Sequence, residues 1–328
     1  MQHASRPKLS IVIPTHGTRE LTLRCLDSLA RSHVEDFDGI EGVEIIVVDD
    51  ASRDGTAEAA AERHPEVVVL RNEAAAGFTR SANSGMARAR GELLLLLNSD
   101  TEMEPEGLVR LIDLFAAEPR LGVAGAALHY PDGSPQWSGG REPTLAWFFA
   151  LASGLPGLLA RLPFYRRAKP LAPSGPQRVD WVTGAALGVR REVWEAVGPL
   201  DEGFRFYAQD LDFCLRARRA GWEIEVRPEV RVLHHHGATI GRAPGARRRQ
   251  NPELLWSDLL RWARKHRGGR WAARAAAALR WGGALRLAWD RLALSFLPAP
   301  ERAVRREENR ALAAALASPS LAIREDSV

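Results

Sequence analysis

Cysteine is scarce: the 328 residues hold only Cys25 and Cys214, in no metal-binding or redox spacing. That excludes a disulfide-stapled architecture and makes a reducing cytoplasm the expected compartment. The opening residues, "MQHASRPKLSIVIP", carry no signal-peptide pattern. Long apolar runs are missing too. The uncharged stretch "TLAWFFALASGLPGLLA" (144–160) has 17 residues, the short limit for crossing a bilayer, and Gly154, Pro156 and Gly157 interrupt it. Residues on both sides of it contribute to one site in the reading below. It is therefore expected to lie on a surface or act as a lid rather than to span a membrane. Neither common phosphate-binding loop occurs: no G-x-G-x-x-G follows the first apolar run, and G-x-x-x-x-G-K-[ST] is absent. A bound nucleotide would need its phosphates neutralised by other means.

The length suits one large domain, or a domain with an appendage. Hydrophobic residues make up 45%, enough for a sizeable core. The net charge of +4 is uneven: residues 241–328 hold 18 Lys+Arg and 8 Asp+Glu, or +10, leaving −6 on the rest. The same tail holds five of the ten tryptophans, Trp256, Trp262, Trp271, Trp281 and Trp289. The expectation is an acidic-to-neutral globular body over 1–241 and a basic, amphipathic helical extension over 242–328. Trp and Arg suit an anionic membrane interface, so peripheral contact with the inner face of the membrane is expected, and no nucleic acid. The alternative is a helical hairpin packed on the body with a solvated arginine face.

Along the chain, apolar β-branched runs alternate with helical patterns. "LSIVIPTHG" (9–17) reads as a buried strand ended by Pro14, and Thr18 can cap a helix whose Leu21, Cys25, Leu26 and Leu29 share one face. "EIIVVDDAS" (44–52) and "VVVL" (67–70) read as strands, with helices over 56–64 and 79–90. "LLLLLNSDT" (93–101) is a buried strand that runs straight into polar residues. A helix follows over 105–118, with Pro105 in its first turn. Continuous apolar strands alternating with helices predict an α/β fold, with a mostly parallel sheet covered on both faces. Ligands of such sheets bind outside the carboxyl ends of the strands. Pro14–Thr15, Asp49–Asp50, Arg71–Asn72 and Asn98–Ser99–Asp100 all fall there. They form one candidate site, at which Asp100 could hold a divalent metal against phosphates.

Five ordered blocks over about residues 8–241 carry a resemblance. They are "SIVIPTHG", "EIIVVDDASRDGT", "NEAAAGFTRSANSGMARARGELLLLLNSDT", "WVTGAALGVRREVWEAVGPLDEGFRFYAQDLDFCLRARRAGW" and "HHHGATIG". Together they resemble family 2 glycosyltransferases of GT-A fold, in the bacterial rhamnosyltransferase-like branch that builds cell-surface polysaccharide. The resemblance implies inverting transfer of a sugar, with a lean to rhamnose, from a dTDP- or UDP-sugar to a carbohydrate or lipid-linked glycan acceptor. It implies a donor-binding half over about 8–127 and an acceptor and catalytic half over about 128–241. Pro14, Thr15 and Asp50 would surround base and ribose. Arg71, Asn72, Gly77 and Asn83 would line the donor pocket. Asn98, Ser99 and Asp100 stand where the family's D-x-D motif falls, so Asp100 would bind Mn²⁺ or Mg²⁺ together with His234 of "HHHG". Asp210 matches the general base, preceded by Gln209 where the family has Glu. His16–Gly17 also departs from the usual Tyr–Asn.

The chemistry fits those residue types. A metal bridging two phosphates stabilises the departing nucleoside diphosphate, and a carboxylate with a neutral imidazole holds it without cancelling its field. Asp210 would take the acceptor proton, help worth ~10²–10⁴-fold. It opens the helix "DLDFCLRARRAG", rooted by Leu211, Cys214 and Leu215. A helix N-terminus lowers a carboxyl pKa, so burial or a neighbour must raise it for a strong base.

Simpler readings stand beside several of these. Asp49 caps the next turn, Asp212 is a surface or supporting residue, and Gly77 serves a turn with positive φ. Neighbouring histidines on a strand point to opposite faces, so His234, His235 and His236 supply one ligand and two bystanders. Trp181 either packs in the core or stacks on the acceptor, and Gly184 and Ala185 leave room for acceptor or diphosphate. "GARRR" (245–249) is a solvated run or grips a pyrophosphate or anionic lipid. Two other functions remain open. A sugar-nucleotide-binding module without transfer activity draws support from Gln209 alone. A nucleotidyltransferase would need a Gly- and Arg/Lys-rich loop after the first strand, where "PTHGTRE" offers one Gly and one Arg.

Overall fold

The computed structural model describes residues 7–32, 42–156, 175–235, 251–294 and 298–318. The chain begins β1 (Leu9–Thr15), α1 (Arg19–Ala30), β2 (Val43–Asp49), α2 (Thr56–Arg63), β3 (Val68–Arg71), α3 (Phe78–Arg88) and β4 (Leu93–Leu97). It continues through β5 (Thr101–Met103), α4 (Gly107–Ala117), β6 (Leu121–His129), β7 (Gly139–Gly140), α5 (Leu145–Ser153), β8 (Gln177–Arg178) and β9 (Trp181–Val182). Then come β10 (Ala186–Arg190), α6 (Arg191–Val197), α7 (Gln209–Arg219) and β11 (Glu223–His234). Three helices close it: α8 (Pro252–Arg267), α9 (Gly269–Ala293) and α10 (Ala299–Ala317). Two compact units result. The first comprises Met1–Arg141, Leu171–Gly203 and Gln209–Arg249; the second comprises Glu142–Pro170, Phe204–Ala208 and Gln250–Val328.

The first unit is built on a sheet of order β3-β2-β1-β4-β10-β6-β11-β5, with β8 paired to β11. The five leucines of β4 are all buried because the strand is central, between β1 and β10. Their alternation splits them between two cores. Leu93, Leu95 and Leu97 pack with Cys25 and Phe115, while Leu94 and Leu96 pack with Met86 and Phe213. Each such burial contributes roughly 1.5–3 kcal/mol. Cys25 and Cys214 are buried free thiols, and burial pushes the thiol of Cys25 up to about 12.

The parallel expectation holds from β3 to β4. Beyond it the sheet is mixed: β10 lies antiparallel between β4 and β6, although β6 and β11 are parallel. An antiparallel neighbour needs no helical crossover, so the simple alternation stops there. Three local expectations are also corrected. β1 passes through Pro14 to Thr15, pairing Pro14 with Val48. Thr18 stands at the N-cap of α1 without capping it, because its hydroxyl turns to Thr15, Thr22 and Ser99. Pro105 lies ahead of α4, which starts at Gly107.

The second unit gathers α5, α8, α9 and α10. Two segments expected in the body, 142–156 and 204–208, belong to it. Asn251 caps α8 by accepting from the amides of Glu253 and Leu254, with Pro252 in the first turn. Trp256 and Trp262 are buried. Trp271 meets Phe148 and Trp262 edge-on, with centroids 5.7 and 6.2 Å apart. Gly282 of α9 presses on α5: a Cβ there would stand 2.4 Å from the Phe149 carbonyl oxygen. Asp258 is buried and accepts the backbone amides of Arg205, Phe206 and Tyr207 at 3.3, 3.0 and 2.9 Å. Among the described residues no helix is long and apolar enough to cross a membrane. Residues 157–160 of the uncharged stretch and "GARRR" lie outside the described residues.

Candidate active site

A cleft of about 1000 Å³ opens at the carboxyl ends of β1, β2 and β3. His16, Gly17, Ser52, Asp54, Arg71 and Asn72 are among its lining residues. Beneath it Asp50 is a hub. One carboxylate oxygen accepts from Asn72 Nδ2 at 2.8 Å and the Ala76 amide at 2.7 Å; the other accepts from the Gly77 amide at 2.8 Å. Burial alone would raise its pKa, but these donors outweigh it and hold Asp50 below the usual carboxylate range. Gly77 has φ +88°, the positive value expected of its turn, and its amide reaches Asp50 from it. Asp49 is fully buried, accepts the Ser52 amide at 3.3 Å and lies 3.7 Å from Arg71 Nε, as a turn-capping carboxylate does. Arg71 also pairs with Glu58.

Pro14 and Thr15 are buried in the end of β1 and do not line the cleft. The Thr15 hydroxyl is taken by Thr18 and Thr22, each at 2.8 Å. The residues that follow form the wall instead: His16 Nδ1 lies 2.6 Å from the Asp50 carbonyl oxygen, and the Gly17 amide donates to Ser52 Oγ at 2.8 Å. Ser52 and Asp54 went unsignalled, although they directly follow β2. Asn83 also lies off the cleft. Its amide clamps Leu200, donating to the carbonyl oxygen at 2.9 Å and accepting from the amide at 3.0 Å.

β4 ends in the stretch that meets the candidate metal pair. The Asn98 amide donates to the Ala185 carbonyl at 2.9 Å, and the His235 amide donates to the Asp100 carbonyl at 2.8 Å. That second bond continues the antiparallel β5–β11 pairing and brings Asp100 Oδ1 within 3.3 Å of His234 Nε2. Gln136 orients the ring. Its Nε2 donates to the His234 and His129 carbonyls at 2.6 and 3.2 Å, so its Oε1 must face His234 Nδ1, 3.0 Å away. Nδ1 therefore carries a proton, and Nε2 is the ring atom that faces Asp100 Oδ1. Two residues earlier, Asn98 Oδ1 is buried with no hydrogen-bond partner, as an oxygen awaiting a ligand would be. Among the described residues no three acidic, His or Cys side chains gather into a full metal cage. One or two protein ligands plus phosphate oxygens is nevertheless the set that Mg²⁺ or Mn²⁺ favours, so the residues present fit such an ion. Ser99 is buried against Thr18 at 3.1 Å. His235 turns to Glu102 at 2.8 Å, and His236 lies outside the described residues.

Asp210 occupies the first turn of α7. One oxygen accepts the Gly184 amide at 2.9 Å and the other the Leu211 amide at 2.8 Å. Burial pushes its pKa up and outweighs both donors. It nevertheless keeps partial access to solvent. A chain of bonds ties it to the Asp100–His234 pair: Asp210 to Gly184, Ala185 to Asn98, and on through Ser99 to Asp100. Gly184 thus acts through its amide. A Cβ there would meet Asp210 only at ordinary contact distance, 3.8 Å, while Ala185 is buried in the core rather than open to a ligand. Gln209 is buried, and its Oε1 has no hydrogen-bond partner. Asp212 is fully buried, not on the surface; it holds Arg216 at 2.9 Å, whose guanidinium donates to the carbonyls of Val197, Gly198 and Pro199. Trp181 is half-buried and edge-on to Trp137 at 4.9 Å. Trp137, unsignalled in sequence, is 54% exposed and supplies the open aromatic face of that pair.

Comparison with known proteins accords with this geometry. The profile described as Glycosyl transferase family 2 matches residues 10–184. An N-acetylglucosaminyl-diphospho-decaprenol L-rhamnosyltransferase of Mycobacterium tuberculosis is 30% identical over 262 residues, covering 73% of this chain and 82% of that protein. Among solved structures, a mannosyltransferase of Pyrobaculum calidifontis in complex with GDP-Man and Mn²⁺ aligns at TM-score 0.56 and 16% identity, over 97% of this chain and 88% of that one. GalNAc-T7 with UDP, GalNAc and Mn²⁺ aligns at TM-score 0.57 and 18% identity, over 83% of this chain and 51% of that one. Both share the GT-A fold. The chain belongs to glycosyltransferase family 2, as an enzyme of its rhamnosyltransferase-like branch.

Proposed function

We propose that the enzyme transfers a sugar, rhamnose as the leading candidate, with inversion and with a divalent metal, from a dTDP- or UDP-sugar to a carbohydrate hydroxyl in cell-surface polysaccharide synthesis. The cleft beside Asp50 would take the nucleoside, with Arg71 and Asn72 on its wall. Asp100 and His234 would hold Mn²⁺ or Mg²⁺, which supplies Lewis-acid stabilisation of the leaving diphosphate. Asp210 would accept the proton of the attacking hydroxyl. The observation that carries this reading is the bonded path from Asp210 through Gly184, Ala185 and Asn98 to Asp100, which would hold the proposed base and metal ligand on one frame. The Trp137–Trp181 pair would offer a sugar an apolar face. A lipid-linked glycan acceptor, as in the name of the mycobacterial relative, would place the enzyme on the inner face of the membrane with the C-terminal helices in contact.

The test is a thermal-shift panel with UDP, dTDP and GDP, each with and without Mn²⁺, on wild type and Asp100→Ala. A diphosphate at ~100 times its Kd adds roughly 2.7 kcal/mol. One diphosphate should shift wild type only with metal, and should not shift the variant. Equal shifts in both proteins would remove Asp100 from the metal site. No shift with any diphosphate would end the donor assignment.

A further inference from the structure

We propose that one face of α9 seats the protein on an anionic lipid surface. Trp281, Leu285, Trp289 and Leu292 are 73%, 50%, 59% and 67% exposed, half of the eight exposed large hydrophobic residues described. At about 100° per residue they fall within about 80° of one another around the helix. The roughly opposite face is the buried one, made by Ala272, Ala275, Ala276, Leu279, Gly282 and Gly283. The stripe is therefore not a misplaced core. It is the outward side of a helix whose inward side is already packed.

Charge selects the occupant. The exposed charged residues of α9 are Arg270, Arg274, Arg280 and Arg291. Its one acid, Asp290, is buried between Arg286 and Arg305, each 3.6 Å away. Arg270 and Arg274 continue the line of the stripe toward the N-terminus, and Arg280 and Arg291 flank it about a quarter turn beyond one edge. Tryptophans beside cations match the boundary between acyl chains and anionic headgroups. A second copy of the chain would bring the same cations together. From Trp281 to Leu292 the stripe is about 16 Å long, roughly half a hydrocarbon core, so it lies along the surface rather than crossing it.

This deepens the proposed function, because a lipid-linked acceptor presents its sugar at such a surface, yet the docking itself requires no transfer. The test uses the full-length protein, without sugar nucleotide, and vesicles of phosphatidylcholine alone or mixed with phosphatidylglycerol. Wild type should co-sediment with the mixed vesicles, with blue-shifted tryptophan emission, and should release in high salt. The Trp281→Ser/Trp289→Ser variant should lose partitioning by roughly tenfold or more, with an unchanged melting temperature because both side chains are exposed. Arg274→Glu/Arg291→Glu should lose the preference for phosphatidylglycerol. The proposal is overturned by no vesicle binding at low salt, by equal binding of the tryptophan variant, or by a dimer that the tryptophan variant dissolves. Transfer to a water-soluble acceptor reads the proposed function separately, and these variants should leave it unchanged.

Discussion

Two regions of the first unit use the same side chain to opposite effect. At the ends of β2 and β3, Asp50 is surrounded by the Asn72 side-chain amide and the backbone amides of Ala76 and Gly77, and its pKa is pulled down. At the start of α7, Asp210 has the amides of Gly184 and Leu211, and burial prevails. The donors around Asp50 favour its charged form, so it is a fixed anchor. At Asp210 the neutral form is favoured, which suits the proton acceptor proposed above. The difference lies in the balance of two opposing effects: at Asp50 the donors prevail over desolvation, and at Asp210 desolvation prevails over the donors.

The largest effect that bears on this contrast is Asp210→Asn. Transfer should fall ~10²–10⁴-fold while diphosphate shifts are retained. In wild type the acid limb of the kcat/KM profile should fall above the ordinary aspartate value, since burial raises the pKa of the proposed base. A limb at or below the ordinary aspartate value, or a variant with full activity, would remove Asp210 from the chemistry.

Asp50→Ala is expected to act on stability first. It strands buried amide donors, each worth about 1–3 kcal/mol when left unsatisfied. The pH dependence has a definite sign. A carboxyl with a depressed folded pKa contributes stability that is present above its unfolded pKa, about 3.9, and lost as pH falls through the folded value. The gap in denaturant midpoint between wild type and Asp50→Ala should thus be full at neutral pH and narrow below about pH 4. Asp210 has the opposite sign: its raised pKa costs stability above the folded value, and that cost disappears on acidification. A gap that widens in acid would mean that Asp50 is not the hub the hydrogen bonds describe.

The same contrast marks how far the sequence could be read. Around Asp50 the site follows directly from continuous strands: Asp50 succeeds β2, Asn72 succeeds β3, and Asp100 stands three residues beyond β4. A polar residue placed there needs only a parallel sheet to become part of a site. Around Asp210 the determinants are long-range. Its partner Gly184 lies 26 residues away, beside two-residue strands too short to leave a pattern. Trp137 becomes relevant only once β7 pairs with β9 and Trp181 meets it edge-on. Thr18 has the right chemistry for a cap, but a hydroxyl cluster with Thr15, Thr22 and Ser99 outbids the helix end. In the second unit the helices were legible, whereas the membership of α5 rests on a glycine, Gly282, that lets backbone approach backbone.

The smallest expected effect sharpens the comparison most. Gln209 precedes Asp210 in the chain, is buried, and has an Oε1 with no hydrogen-bond partner. A neutral amide leaves burial as the leading cause of the raised Asp210 pKa. Gln209→Glu keeps the shape and adds a buried carboxyl one residue from Asp210 in the chain. Two buried carboxyls within electrostatic reach of each other disfavour ionisation of the pair, so the macroscopic acid limb of kcat/KM should move to higher pH. The plateau rate should change little, because the proton still ends on Asp210. The measurement is the paired pH–rate profile of wild type and Gln209→Glu with the same donor. A limb that stays in place would show that Gln209 lies outside the electrostatic reach of the base, and its buried oxygen would then be better understood as a contact to an acceptor hydroxyl. That alternative predicts a raised acceptor KM for Gln209→Ala at an unshifted limb, so the two profiles together separate tuning of the base from binding of the acceptor.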